Sequence, residues 1–576
     1  MKKYYSNRIG LLFLAVFCIT LGISACARLK EPGHTLSTSP TKPLPPDTYK
    51  NGVVVSVNRI ASQVGVDILK KGGNAVDAAV AVSYALAVVH PSAGNIGGGG
   101  FFVIRTPDGK ATTIDYREKA PGKAHRDMYL DEKGEVISRL TRRGALAVGV
   151  PGTVAGTLLA LERYGTMSRE EVLQPAIMLA DTGFFITSRR GIGGDNFKEF
   201  PSTNAIFNKP DSSRWEQGER FVQKDLAKTF RIIAEKGHDG FYKGEVADLF
   251  VKTMEEHGGL ITHEDLASYR AIEREPVRGK YRDYDIISMA PPSSGGVCLI
   301  EMLNILERYN IGELGYNTPE SVHLMVEAMR RVYADRAEYL GDPEFYDVPV
   351  EKLISKKYAD MRAKDINTEH ATPSEQVTHG DVSQTPYESD ETTHYSVVDK
   401  NGMAVAVTTT LEGGYGSHLV VGGAGFLLNN EMGDFSAKPG TPNSYGLLGG
   451  DANAIEPNKR MLSSMTPTIV TKNGKTFIVV GEAGGSRIIT KVLQSIVNVI
   501  DHGFTAKEAF GVPGFHHQWY PDNIGRSSAF SEETIAKLEE FGHTVSRRGG
   551  VNTAQGVIID PETGYLTFAS GTGVGY

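Results

Sequence analysis

Thr392 and Thr393 open an alternating run, Thr392-Thr393-His394-Tyr395-Ser396-Val397-Val398-Asp399, directly after a polar, acidic stretch over 371–391 with almost no large apolar side chains, by composition a flexible excursion. A strand emerging this abruptly reads as a chain start written in mid-sequence. The distinction matters chemically, because a threonine hydroxyl is a poor nucleophile unless a base stands beside it, and a terminal threonine carries its own base in its free α-amino group. Lys400-Asn401-Gly402 and a second alternating run, Met403 to Thr410, complete a strong hairpin signal. A two-residue loop would set Thr393 opposite Thr410, whereas a three-residue loop with Gly402 left-handed sets Thr392 opposite Thr410 on one side of the sheet. Acyl transfer also needs donors at the developing oxyanion. Gly481-Glu482-Ala483-Gly484-Gly485-Ser486-Arg487, after the strand expected over 476–480, offers backbone N–H groups with no side chain in the way.

Taken together, Thr392 to Val398 and the motifs below resemble the gamma-glutamyltranspeptidases, which are N-terminal-nucleophile hydrolases, from about residue 50 to about residue 520. The resemblance implies an inactive precursor that cuts itself between Glu391 and Thr392 into a large part, 51–391, and a small part, 392–576. It makes Thr392 the nucleophile, sets Thr410 to orient its hydroxyl, and assigns the oxyanion hole to Gly484 and Gly485. It also implies a substrate headed by an α-carboxylate and an α-ammonium. Arg117, in Asp115-Tyr116-Arg117-Glu118, matches the family's carboxylate-binding arginine, and Ser463-Ser464 match its paired serine donors. A planar guanidinium suits a carboxylate, and Glu431 and Asp434, three apart, suit an ammonium. The stretch 438–460 resembles the lid over the pocket, with Tyr445 as its aromatic gate.

Two places depart from the family pattern. Glu412 stands two residues after the second threonine, where many relatives carry asparagine; a carboxylate there favours an ammonium but cannot donate to a carboxylate. The chain ends Ala569-Ser570-Gly571-Thr572-Gly573-Val574-Gly575-Tyr576, where many relatives end in Asp-Pro-Arg.

Other chemistries find little support. Gly97 to Gly100 lacks the G-x-G-x-x-G spacing, and Gly474-Lys475-Thr476 lacks the first P-loop glycine, because residue 469 is isoleucine. His516 and His517, adjacent on a strand, point to opposite faces, and His263-Glu264 lacks the second histidine of H-E-x-x-H, so no metal site is expected. No G-x-S-x-G occurs. No cofactor is implied.

The elements that must position these residues follow from pattern. Of 576 residues, 40% are hydrophobic and 22% charged, a globular composition, and a net charge of −7 argues against a nucleic-acid surface. Strands are expected over 53–57, 101–105 and 112–115, and helices over 62–70, 75–88 and 322–340. Lys2, Lys3 and Arg8 precede an apolar run from Leu11 to Ile23, too short to span a bilayer comfortably, and Ile23-Ser24-Ala25-Cys26 resembles a lipobox. Residues 1–26 thus read as a lipoprotein signal with Cys26 lipidated, exported and held at the outer membrane of a two-membrane cell. The Pro-rich residues 27–50 read as a tether. Cys298, in the apolar run Val297-Cys298-Leu299-Ile300, reads as a buried structural thiol.

The expectation is a four-layer αββα sandwich of the N-terminal-nucleophile type, built jointly by both parts of the cut chain. Its expected activity is transfer of the γ-glutamyl group of glutathione and related amides to water, amino acids or peptides. The rival readings are a self-cleaving cephalosporin or glutaryl acylase and a catalytically silent, lipid-tethered homologue.

Overall fold

The computed structural model describes residues 48–378, 392–441, 443, 446–528, 530–547 and 554–576. Expectations for residues 1–26 with Cys26, for most of the tether, for Glu391 and for Tyr445 lie outside these residues.

Two seven-stranded sheets form the centre. One contains, in spatial order, Val574–Gly575, Gly52–Ser56, Thr392–Asp399, Ala404–Thr410, Gly99–Arg105, Ala111–Asp115 and Ile272–Arg274. The other runs Thr48–Tyr49, Leu566–Phe568, Val557–Ile559, Lys475–Val480, Thr468–Lys472, Tyr284–Ser288 and Val277–Tyr281. Strand pairing in both is antiparallel throughout. Each sheet mixes strands from before and after Thr392.

Why these strands read as apolar runs is visible in what each face touches. Val54, Phe102, Ile104, Tyr395, Val397, Val405 and Val407 pack into a core shared with helices Arg59–Lys70 and Ala75–Val89. Their neighbours Val53, Val55, Phe101, Val103, Val398, Ala404 and Ala406 turn toward the second sheet. A strand buried on both faces loses polar–apolar alternation. The helix Ala75–Val89 is likewise apolar all round because it is buried along its whole length, and its start is fixed by a reciprocal cap between Asn74 and Asp77. On the far side, Gly295–Leu306 covers the second sheet with Pro319–Tyr339 and Arg487–Ile500 beside it. The result is the expected αββα layering.

Two expectations need correction. The tether ends sooner than residue 50, since Thr48–Tyr49 pair with Leu566 and Thr567 as an edge strand. The flexible excursion does not begin at 371. Thr372 hydrogen-bonds Glu327, Ser374 donates to the carbonyl of Trp519 at 2.7 Å, and the Trp519 indole donates to the carbonyl of Ser374 at 2.9 Å. A polar composition signals disorder only where polar partners are missing, and here Glu327, Asp522 and Trp519 provide them.

The carboxyl end is part of the first sheet. Val574 and Gly575 pair with Val54 and Val53, and Thr572 donates to the carbonyl of Ser56 at 2.6 Å.

Candidate active site

The hairpin sets the geometry. Gly402 is left-handed at φ 83°, Asp399 N–H bonds the carbonyl of Met403 at 3.1 Å, and Thr392 faces Thr410, the register of the three-residue loop. The next cross-strand pair on the Thr392 face is His394 with Thr408, whose side chains hydrogen-bond at 2.8 Å. Burial drives the His394 pKa down to about 3, so the ring is neutral. It fits there because residue 481 has no side chain: a Cβ on Gly481 would lie 2.3 Å from the ring.

Thr392 and Thr410 line one cavity together with Arg117, Arg336, Glu412, Glu431, Asp434, Ser463, Ser464 and Gly485. Residues far apart in sequence thus converge as their types suggested. Gly484 stands beside this wall without lining it; Gly484 and Gly485 both have positive φ, 130° and 55°, conformations open to glycine. The carbonyls of Gly484 and Gly485 accept from Arg487 and Ile488 at the start of helix Arg487–Ile500.

Arg117 is fully buried although Asp115 and Glu118 flank it. It follows the strand Ala111–Asp115, and its own N–H bonds the Asp115 carboxylate at 2.9 Å. Its guanidinium reaches Glu431 at 2.5 Å, Glu118 at 3.4 Å, Asp434, and the carbonyls of Met461 and Leu462. Burial opposes its charge, but Glu431, Asp434 and Glu118 outweigh that, and its pKa rises. The carboxylates crowd one another. Burial raises Glu431 well above the usual carboxylate range and raises Asp434 and Glu118, the last to about 7, with Arg117 pulling each down.

Glu412 is a non-glycine residue at φ 73°, a strained conformation that clusters at functional sites. Its N–H bonds Thr410 Oγ1 at 2.8 Å, and its carboxylate accepts from Asn430. Ser463 is held by the Pro291–Ser294 turn: Ser463 N–H bonds the Pro292 carbonyl at 2.9 Å, and the Ser463 carbonyl accepts from both the N–H and the hydroxyl of Ser294. In the stretch 438–460, Leu447, Leu448, Gly449 and Asn453 reach the cavity, and Gly440 N–H closes the loop on Gly449 O at 3.1 Å.

Matching all of this, a family profile described as gamma-glutamyltranspeptidase covers residues 61–572. The chain belongs to the gamma-glutamyltranspeptidase family. Within it, the chain is 49% identical to the glutathione hydrolase proenzyme of Escherichia coli, over 92% of this chain and 94% of that one. Among solved structures, the gamma-glutamyltranspeptidase of Helicobacter pylori is 47% identical with a TM-score of 0.56, covering 58% of this chain and 97% of the other. A cephalosporin acylase from Bacillus halodurans is 27% identical with a TM-score of 0.79, covering 93% and 98%.

For a family member, sequence reading passed over Glu118, Asn430 and Arg336 at the site. Glu118 was visible as the neighbour of Arg117. Arg336 gave no signal of its own, since Glu327, Arg330, Arg331 and Asp335 are also charged on the helix stretch buried from Ser321 to Arg336. His516 and His517 do point apart, toward Thr490 and Asp522 respectively. Among the described residues, only His323, Glu327 and His543 lie close enough together to share a metal ion. His323 bonds His543 at 2.8 Å and Asn367 O at 2.7 Å, and Glu327 is held by Arg330 and Arg331. Cys298 is buried, and burial raises its pKa, as suits a structural thiol.

Proposed function

We propose that this chain cuts itself before Thr392 and then works as a gamma-glutamyltransferase and glutathione hydrolase. The observation that carries the reading is the cross-strand pair Thr392–Thr410 in one cavity with Arg117, Ser463, Ser464 and Gly485. In the first step the Thr392 hydroxyl adds to the carbonyl of Glu391; the amide nitrogen leaves as the new α-amine, and water opens the resulting ester.

The mature amine then takes the Thr392 hydroxyl proton as the oxygen attacks the γ-carbonyl of glutathione or a related amide. N–H groups at Gly484 and Gly485 hold the oxyanion, and the amine returns the proton to the departing nitrogen. Water, an amino acid or a peptide then takes the γ-glutamyl group from its ester on Thr392. Glu412, Glu431 and Asp434 receive the substrate ammonium, while Arg117, Ser463 and Ser464 receive its carboxylate. Tyr445 and the stretch 438–460 regulate the entry of water. The identity with glutathione hydrolase proenzymes and the polar lining support an amino-acid head group over the glutaryl head of an acylase.

The test is Thr392→Ala. One uncut polypeptide with no turnover of a γ-glutamyl anilide is expected on a denaturing gel and in the assay; normal maturation of that variant would overturn the assignment.

A further inference from the structure

Helix Pro319–Tyr339 carries three buried arginines, and two show what this fold does with a structural guanidinium. Arg330 pairs with Glu327 and with Asp522 at 3.0 Å; Arg331 pairs with Glu327 at 2.6 Å and with Asp365 at 3.1 Å. Arg336 is treated differently. It is 4% exposed, lines the cavity with Thr392, and has no carboxylate within 4.0 Å among the described residues. Its side-chain bonds go to two hydroxyls, from Nε to Ser294 Oγ at 2.9 Å and from Nη2 to Ser464 Oγ at 3.1 Å. A buried cation without a counter-ion is costly, and an arriving anion relieves that cost. Consistently, burial lowers the Arg336 pKa, partly offset by the charges around it, Asp434 among them. Arg117, by contrast, already shares its guanidinium among three carboxylates.

The hydrogen-bond polarity points the same way. Arginine can only donate, so Ser464 Oγ accepts from Arg336 and its single hydroxyl proton is left for another acceptor. Ser463 Oγ accepts from Met465 N–H at 3.1 Å and is placed alike. Ser294, which accepts from Arg336, spends its own proton on the carbonyl of Ser463 at 2.6 Å, tying both serines to one guanidinium. We infer that Arg336 is a positioning and specificity residue for the substrate's α-carboxylate: it fixes Ser464 as a donor and supplies a positive charge that no carboxylate of the described residues contacts. This rests on the proposed γ-glutamyl chemistry.

The experiment compares two anilides on Arg336→Gln, one γ-glutamyl and one 4-aminobutyryl, which lacks only the α-carboxylate. Losing a charge-assisted contact should raise KM for the γ-glutamyl anilide about tenfold or more, with kcat within about threefold. The kcat/KM for the 4-aminobutyryl anilide should hold within about threefold, and adding Ser464→Ala should cost little beyond the single change, because the two act as a unit. If Arg336→Gln fails to mature, Arg336→Met, which removes the charge and both donors at similar side-chain length, carries the same comparison. Equal loss on both anilides, an unchanged γ-glutamyl KM, or additive effects with Ser464→Ala would overturn the inference. A wild-type enzyme that does not prefer the γ-glutamyl anilide at all would instead overturn the γ-glutamyl reading beneath it.

Discussion

Glu118 is a residue whose charge the fold tolerates poorly, because it shares Arg117 with Glu431 and Asp434 while wholly buried. Burial raises its folded pKa to about 7, above the ordinary 4.5. A raised pKa means the folded state holds the proton more tightly. The associated stability is therefore present in full below about pH 4.5 and lost as pH rises through about 7. Glu118→Gln imitates the protonated form, so the variant should melt above the wild type at pH 8 and show no advantage at pH 4.5; thermal melts at the two pH values check this. The residues around it show what a sequence discloses at this scale. Arg117, Ser463 and Ser464 could be matched to a motif, but no spacing tells that Arg117 is already shared by three carboxylates while Arg336, among the described residues, pairs with none. That difference arises from which helix and which loop meet in space.

The two-stranded hairpin was the most legible element, since loop length alone chose between placing Thr392 or Thr393 against Thr410, and the structure has Thr392 there. The strand and helix positions near the amino end also followed from pattern, within a residue or a few of the observed bounds. Less legible was the reason for Gly481, which reads as a turn glycine but faces the His394 ring. Gly481→Ala would force a Cβ to within 2.3 Å of a ring enclosed between two sheets. Overpacking of this kind should cost roughly 1–3 kcal/mol, measurable by denaturant unfolding, and should slow the appearance of the two fragments by displacing the strand that bears Thr392. The start of the stretch over 371–391 was illegible for the complementary reason. Its polar side chains have fixed partners on helix Pro319–Tyr339 and around Trp519, which composition cannot reveal.

For the whole molecule, the amino-terminal reading makes a separable claim. If Cys26 carries the lipid and residues 27–47 are only a tether, Cys26→Ser should move nearly all γ-glutamyl anilide activity from the membrane pellet to the soluble fraction, with kcat unchanged. Activity that stays with the membranes would refute the anchor. The body of the protein imposes a different constraint. Thr392–Asp399 and Ala404–Thr410 lie between Gly52–Ser56 and Gly99–Arg105, and Val574–Gly575 closes the edge beyond Gly52–Ser56. Neither product of the cut therefore owns a complete sheet, and each made alone would present bare strand edges to its neighbours. Assembly must precede scission, and two genes encoding the halves separately would be a poor substitute for the one that joins them.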